Sequence, residues 1–281
     1  MSVQINYKTS DSKKNSINIV FFVDKDFRII NLKKHISKIE YSYISDLLNN
    51  DDKKKKIISY DISSKKKIIL VSIKNKINNT EEENLGANFY NQFKNSKVNF
   101  FSIRIDTLSN TPKNFISHFL HGLKLKSYVF EKYKSKKQKG KITINVIGKI
   151  KPFAFDQIKY NAIEEGTFLA RDLVSEPGNI LHPDEYAKRI SSLKKIGLKV
   201  NVYDEKKLKK LGMNTLLGVG QGSIRGSYMV TIEWNGNKNK SKPLAFVGKG
   251  VCFDTGGISL KPAKFMEDMT YDMAGSATVV G

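Results

Sequence analysis

The sequence has few of the residues that disulfide-bonded, secreted or membrane-spanning proteins use. Cys252 is the single cysteine in 281 residues, so no internal disulfide can form and a reducing compartment is expected. The N-terminus lacks a charged segment leading into an apolar one, and no run approaches the roughly eighteen apolar residues of a transmembrane helix. These absences predict a cytoplasmic protein with no membrane partner.

Arginine is also scarce, although the chain is strongly basic. The formal net charge is +22, yet only 5 of the 49 basic residues are arginine. Residues 1–150 contain 30 basic and 13 acidic side chains, against 19 and 14 in residues 151–281. Recognition of nucleic acid favours the planar guanidinium group. Two interpretations of the lysine excess stay open: a solvated surface that reflects compositional bias, or a face that binds a polyanion such as DNA.

Residues 1–150 alternate between apolar runs and helical patterns. Runs rich in Val, Ile and Phe predict strands at 17–24, 66–74, 97–106 and 141–150. Thr80 precedes an acidic first turn and predicts the start of one helix, and Pro112 marks the start of another. Strands that alternate with helices predict an α/β domain over residues 1–150.

A second domain is predicted over residues 151–281. A long helical pattern at 153–174 leads into it and ends before the turn-forming Pro177 and Gly178. A helix, a strand and a short helix follow. Residues 228–250 are interpreted as a hairpin with its turn at 235–242, so Lys249 would stand at the end of a buried strand.

Charged residues interrupt the stretch "VGKGVCFDTGGISLKP", residues 247–262. Lys249 is followed by Asp254 in a glycine-rich turn and then by Lys261, and a later cluster contains Asp272. Each residue alone has an ordinary explanation: a lysine that reaches water, an Asp that forms a turn, and an acid at a helix start. Divalent ions, however, need several carboxylate oxygens that converge on one point.

The joint pattern "LAFVGKGVCFDTGGISLKPAKFMEDMTYDMAGSATVVG" resembles the metal-binding segment of the M17 leucyl aminopeptidase family. The resemblance extends upstream through "LARDLVSEPGNILHPDEYA" and covers roughly residues 165–281. It implies a two-domain α/β protein with a smaller N-terminal α/β domain. The first part of an α/β/α catalytic domain, which has a mixed central sheet, would follow.

The resemblance also implies roles for five residues. Lys249, Asp254 and Asp272 would be metal ligands, with Asp254 shared between two divalent ions, Mn²⁺ or Zn²⁺. Lys261 would be the catalytic lysine that polarises the scissile carbonyl, and Met269 would form a wall of the pocket for the first substrate side chain. The expected activity is removal of N-terminal leucine and other apolar residues from peptides, with bicarbonate as a further group in the full-length enzyme.

Members of this family form homohexamers, so the resemblance implies a homohexamer for a full-length enzyme. Some members also bind DNA, and a DNA-binding role of the basic N-terminal domain is the alternative function. The family's next metal-binding segment, Asp-Ala-Glu-Gly-Arg, is not in the sequence. We therefore expect the 281-residue chain to be a truncated form that is not catalytically competent alone. An aspartic peptidase is the competing interpretation of "DTG", but that mechanism needs two such carboxylates sharing a proton.

Overall fold

The computed structural model describes residues 2–9, 18–74, 76–96, 99–108, 112, 114–137, 140–148, 154–237 and 242–281. The chain divides into two compact units, Met1–Glu164 and Glu165–Gly281. The sequence interpretation placed this boundary at residue 150, whereas the division falls inside a long helix. Within the described residues, no helix combines the length and apolar character that crossing a bilayer requires.

A six-stranded sheet organises the first unit, in the order β1-β6-β5-β2-β4-β3. All neighbouring strands are parallel except β3 and β4, which are antiparallel. The strands are β1 (Ser2–Lys8), β2 (Asn18–Asp24), β3 (Ile57–Asp61), β4 (Lys67–Ile73), β5 (Phe100–Arg104) and β6 (Lys141–Ile147). The α/β prediction for this region is confirmed.

Helices cover both faces of this sheet and create two hydrophobic cores. The helices are α1 (Lys38–Asn49), α2 (Asn79–Phe93) and α3 (Phe115–Lys126), with 3₁₀ turns at Ile30–Lys34 and Ile105–Thr107. In β2, Val20 and Phe22 enter one core, while Phe21 enters the other. Because the strand is buried on both faces, its sequence is a continuous apolar run.

The second unit contains a two-stranded antiparallel sheet and a smaller core. Its strands are β7 (Lys199–Tyr203) and β8 (Met229–Glu233). The helix that spans the division is α4 (Ala154–Ser175), followed by α5 (Pro183–Ser191), α6 (Glu205–Lys210), α7 (Asn214–Gly220) and α8 (Ala274–Val280), with 3₁₀ helices at Ser192–Ile196 and Met266–Met273.

The predicted hairpin over residues 228–250 is wrong. β8 pairs with β7, and residues 242–250 form no strand, while 238–241 lie outside the described residues. Leu244, Phe246 and Val247 are exposed, so Lys249 does not end a buried strand. Alternating apolar residues indicate a strand that could be buried, but a strand also needs a partner for its backbone groups.

Candidate metal centre

The five predicted site residues lie in the second unit, between positions 249 and 272. Lys249, Asp254 and Lys261 belong to the irregular segment that precedes the 3₁₀ helix Met266–Met273, and Met269 and Asp272 belong to that helix. The structure arranges the four charged residues as two lysine–carboxylate pairs, and Met269 lies beside Lys261.

The first pair joins Lys249 to Asp272. Nζ of Lys249 donates a hydrogen bond to Oδ1 of Asp272 at 2.5 Å. Oδ2 of Asp272 is buried and has no hydrogen-bond partner among the described residues. A buried carboxylate oxygen without a partner is unfavourable by about 1–3 kcal/mol or more, so this oxygen is a ready acceptor for a cation.

The second pair joins Lys261 to Asp254. Nζ of Lys261 donates to Oδ2 of Asp254 at 2.9 Å, and the backbone N–H of Gly256 donates to Oδ1 at 2.8 Å. The Lys261 hydrogen bond is the main reason that the pKa of Asp254 lies below its usual value, followed by the Gly256 hydrogen bond. The charge of Lys249 lowers this pKa as well, so Lys249 acts on both carboxylates.

A tight glycine turn sets the distance between Asp254 and Lys261. Gly256 and Gly257 have φ values of 99° and 79°, which L side chains rarely adopt. The N–H of Lys261 donates to the carbonyl of Thr255 at 2.9 Å and closes the turn. A Cβ atom at Gly256 would lie 2.4 Å from the carbonyl oxygen of Ser259, so the turn has no room for a side chain there.

The donor set fits a divalent cation. The described residues contain no cluster of three or more His, Cys, Asp or Glu side chains suited to a metal ion. Lys249 nevertheless pairs with Asp272 and acts through its charge on Asp254, and Asp272 presents an unsatisfied oxygen. An ion held by this set would require Lys249 as a neutral amine, because an ammonium group has no lone pair to offer. Three donors are fewer than two ions need.

Residues 168–281 match a family described as "Cytosol aminopeptidase family, catalytic domain". A probable cytosol aminopeptidase from Chelativorans sp. (strain BNC1) is 51% identical over 170 residues, which are 57% of this chain and 34% of that relative. This segment matches the cytosol aminopeptidase family. We call residues 168–281 the aminopeptidase segment; it contains all five predicted site residues. The matched region spans about a third of the length of the relative.

Solved structures share the fold. A tomato leucine aminopeptidase mutant superimposes with a TM-score of 0.79 and 21% identity, covering 99% of this chain and 58% of that one. The bottromycin maturation enzyme BotP, in complex with Mn, gives a TM-score of 0.72 at 21% identity. The match covers 95% of this chain and 55% of that one. At this identity the likeness concerns the fold alone, and it supports the predicted N-terminal domain followed by part of a catalytic domain.

Two sulfur-containing side chains, those of Met269 and Cys252, belong to the same part of the aminopeptidase segment. The Met269 sulfur lies 3.0 Å from Nζ of Lys261, so an apolar side chain stands directly beside the predicted catalytic amine. Burial raises the pKa of the Cys252 thiol to about 11, with a smaller effect of Asp184. A thiol with this pKa is a poor nucleophile at neutral pH, in line with a packing role.

Sequence reasoning missed the residues that position Lys249. The N–H of Ser276, in α8, donates to the carbonyl of Lys249 at 2.9 Å. A Cβ atom at Gly248 would lie 2.4 Å from Cα of Ser276, so glycine is needed for this close approach. The available signal was the small-residue run "MAGSATVVG", which indicates a helix that packs tightly on its neighbour but does not identify that neighbour.

Proposed function

We propose that this protein is a metal-dependent aminopeptidase that removes N-terminal residues, with leucine and other apolar residues preferred, from peptides. The observation that carries the proposal is the Lys249–Asp272 pair with its unsatisfied carboxylate oxygen, next to the Asp254–Lys261 pair. The match of the aminopeptidase segment to the cytosol aminopeptidase family supports it.

Lys249, Asp254 and Asp272 would hold the metal pair, with Asp254 shared between the ions. The fold neighbour in complex with Mn supports Mn²⁺ as the first ion to test, with Zn²⁺ as the alternative. When bound, two divalent ions supply Lewis acidity that makes a water nucleophilic at neutral pH. Asp254, which accepts a hydrogen bond from Lys261, would supply one of the ligating carboxylates.

Lys261 would act on the substrate. Its ammonium group would donate to the scissile carbonyl oxygen and stabilise the negative charge that develops there. Met269, in contact with Nζ of Lys261, would pack against the side chain of the first substrate residue. An apolar wall at this position favours leucine over charged residues, because a charged side chain would lose its hydration. Bicarbonate, a homohexamer and a cytoplasmic location are further parts of the proposal that rest on the family resemblance.

Metal binding tests the ligand assignment. Isothermal titration with Mn²⁺ is expected to show binding by the wild type. Lys249→Met and Asp272→Asn each remove one donor and should weaken the affinity at least about tenfold. Lys199→Met is the matched control, because Lys199 also pairs with a carboxylate, that of Glu233, in the same unit. The assignment fails if the wild type binds no Mn²⁺ or if all three variants behave alike.

Peptide binding tests the exopeptidase character separately from turnover. The tripeptide Leu-Gly-Gly is expected to bind only with Mn²⁺ present, since its free amine is the group that an aminopeptidase recognises. N-acetylated Leu-Gly-Gly should bind at least about tenfold more weakly, which corresponds to roughly 1.4 kcal/mol. Equal affinity for the two peptides would contradict the proposal.

A DNA-binding role of the first unit is the second candidate. The lysine-rich segments 53–56 and 132–137 are exposed. This role predicts that the protein binds duplex DNA with an affinity that falls steeply between about 50 and 200 mM salt. The reason is that lysine contacts with phosphates release counterions from the DNA. Fluorescence anisotropy that shows no binding at the lower salt concentration would remove this candidate.

A further inference from the structure

A side-chain hydrogen bond joins α5 to the start of α8. Tyr186 is only 5% exposed, and its hydroxyl lies 3.0 Å from Oγ of Ser276. Ser276 also donates from Oγ to the carbonyl of Met273 at 2.8 Å. A serine hydroxyl has a single hydrogen, so Tyr186 must be the donor in the bond that the two hydroxyls share.

Ser276 continues this connection to the metal-binding loop. Its backbone N–H donates to the carbonyl of Lys249, and Gly248 allows the two backbones to approach. Asp272 lies one turn before Ser276 in the run of 3₁₀ and α-helix from Met266 to Val280. Ser276 therefore contacts Tyr186 in α5, the helical run that carries Asp272, and the backbone of Lys249.

We propose that Tyr186 and Ser276 are positioning residues, which hold the Lys249 backbone against α8 so that the side chains of Lys249 and Asp272 reach the same ion. Neither residue contacts substrate or metal in this role. The inference rests on the proposed function for the identity of the ion. The part of the inference that concerns the Lys249 backbone, which these residues hold against α8, requires no metal.

Two variants each remove one of the two hydroxyl groups. Tyr186→Phe keeps the buried ring in the core and removes only the hydroxyl. Ser276→Ala removes the side-chain bonds to Tyr186 and Met273 and keeps the backbone N–H that contacts Lys249. Tyr203→Phe, in β7, is the matched control, since it also removes a tyrosine hydroxyl from the same unit. Should Ser276→Ala fail to fold, Tyr186→Phe carries the test.

Mn²⁺ binding is the first readout. The dissociation constant for Mn²⁺ is expected to rise about tenfold in Tyr186→Phe and Ser276→Ala, because loss of such outer-shell partners weakens metal sites 10- to 100-fold. The electron paramagnetic resonance spectrum of bound Mn²⁺ should also change in these two variants, since a shifted ligand alters the zero-field splitting. Tyr203→Phe should leave both measurements unchanged. Unchanged Mn²⁺ affinity in Tyr186→Phe, or an equal loss in Tyr203→Phe, overturns the proposal.

Hydrogen exchange without metal is the second readout. The amide of Ser276 should exchange about fivefold faster in Tyr186→Phe and Ser276→Ala, because the local opening that breaks its bond to Lys249 becomes easier. If the wild type binds no Mn²⁺ but this exchange pattern appears, the proposed function fails and the positioning of Lys249 stands. If the wild type binds no Mn²⁺ and the exchange is also unchanged, both fail.

Discussion

At the residue scale, the two oxygens of the Asp272 carboxylate have different surroundings. Oδ1 accepts the hydrogen bond from Lys249, whereas Oδ2 is buried without a partner among the described residues. Gly248 and Gly275 lie where the Lys249 loop meets α8. A Cβ atom at Gly248 would clash with the backbone of Gly275 and Ser276, whereas one at Gly275 would make only ordinary contacts with Lys249. The geometry of the candidate site therefore depends on Gly248, a residue with no chemistry of its own.

We predict that Gly248→Ala destabilises the second unit. The new Cβ atom would lie 2.4 Å from Cα of Ser276 and 2.7 Å from the carbonyl oxygen of Gly275. Such overpacking lowers the free energy of unfolding by about 1–3 kcal/mol. Thermal unfolding followed by circular dichroism measures the loss.

Gly218→Ala serves as the control for this prediction. A Cβ atom at Gly218 meets no atom within 4 Å, and the residue lies inside α7. Alanine in a helix interior is about 0.5–1 kcal/mol more favourable than glycine, so this variant should be slightly more stable than the wild type. Equal effects of the two substitutions would show that the close approach at Gly248 is not important.

A buried carboxyl group in the first unit should make its stability depend on pH. Glu82 is fully buried, and Nδ1 of His118 lies 2.5 Å from its Oε2. Burial raises the pKa of Glu82, which the His118 contact partly opposes and the charge of Glu83 reinforces. A raised pKa in the folded state means that Glu82 contributes stability in its protonated form, below its unfolded pKa. That contribution is lost as the pH rises through the folded pKa.

Glu82→Gln should therefore gain stability relative to the wild type as the pH rises from mildly acidic to neutral. Urea unfolding at several pH values measures the difference in the free energy of unfolding between the two proteins. Asp61→Asn, at an exposed position in the same unit, is the control and should show a smaller dependence. A difference that stays constant with pH would contradict the raised pKa.

At the element scale, the start of α2 differs from the sequence interpretation. The N-cap is Asn78, whose side chain accepts from the N–H of Glu81, while the Glu81 side chain accepts from the N–H of Asn78. Thr80 lies inside the first turn instead. This reciprocal capping box satisfies two of the free N–H groups at the helix start.

Asn78→Ala should lower the free energy of unfolding by about 1 kcal/mol, because it removes the cap acceptor. Thr80→Ala should have little effect, since alanine is a better residue than threonine in a helix turn. Urea unfolding of both variants distinguishes the two possible helix starts. A larger loss for Thr80→Ala than for Asn78→Ala would favour the start that the sequence suggested.

Much of the first sheet was predictable, because β2, β4, β5 and β6 are apolar runs that tertiary packing buries. The edge strands β1 and β3 were missed, since short runs beside polar or lysine-rich sequence carry a weak apolar signal. The hairpin prediction failed because alternation does not reveal which strand pairs with which. The pairing of Lys249 with Asp272 came only from the family resemblance, since a distance across 23 residues is invisible in residue spacing.

At the scale of the whole molecule, the two units differ in how well their strands are buried. β2 and β4 lie in the middle of a six-stranded sheet and contain several fully buried side chains. β7 and β8 form a sheet of only two strands, and most of their side chains are partly exposed. Two-stranded sheets have marginal stability without further packing.

We therefore predict that the second unit loses its protection first. Hydrogen exchange followed by mass spectrometry at increasing urea concentrations should show β7 and β8 exchanging at lower urea than β2 and β4, because local stability follows burial. Loss of protection in all four strands at one urea concentration would show that the chain unfolds as a single cooperative unit.

Anomalous diffraction at the manganese edge, from crystals grown with Mn²⁺, is the most direct test of the proposed metal centre. The expected result is a peak within coordination distance of the Asp254 and Asp272 carboxylates and of Nζ of Lys249. No peak in the aminopeptidase segment, or a peak that these three side chains do not touch, would contradict the proposed centre.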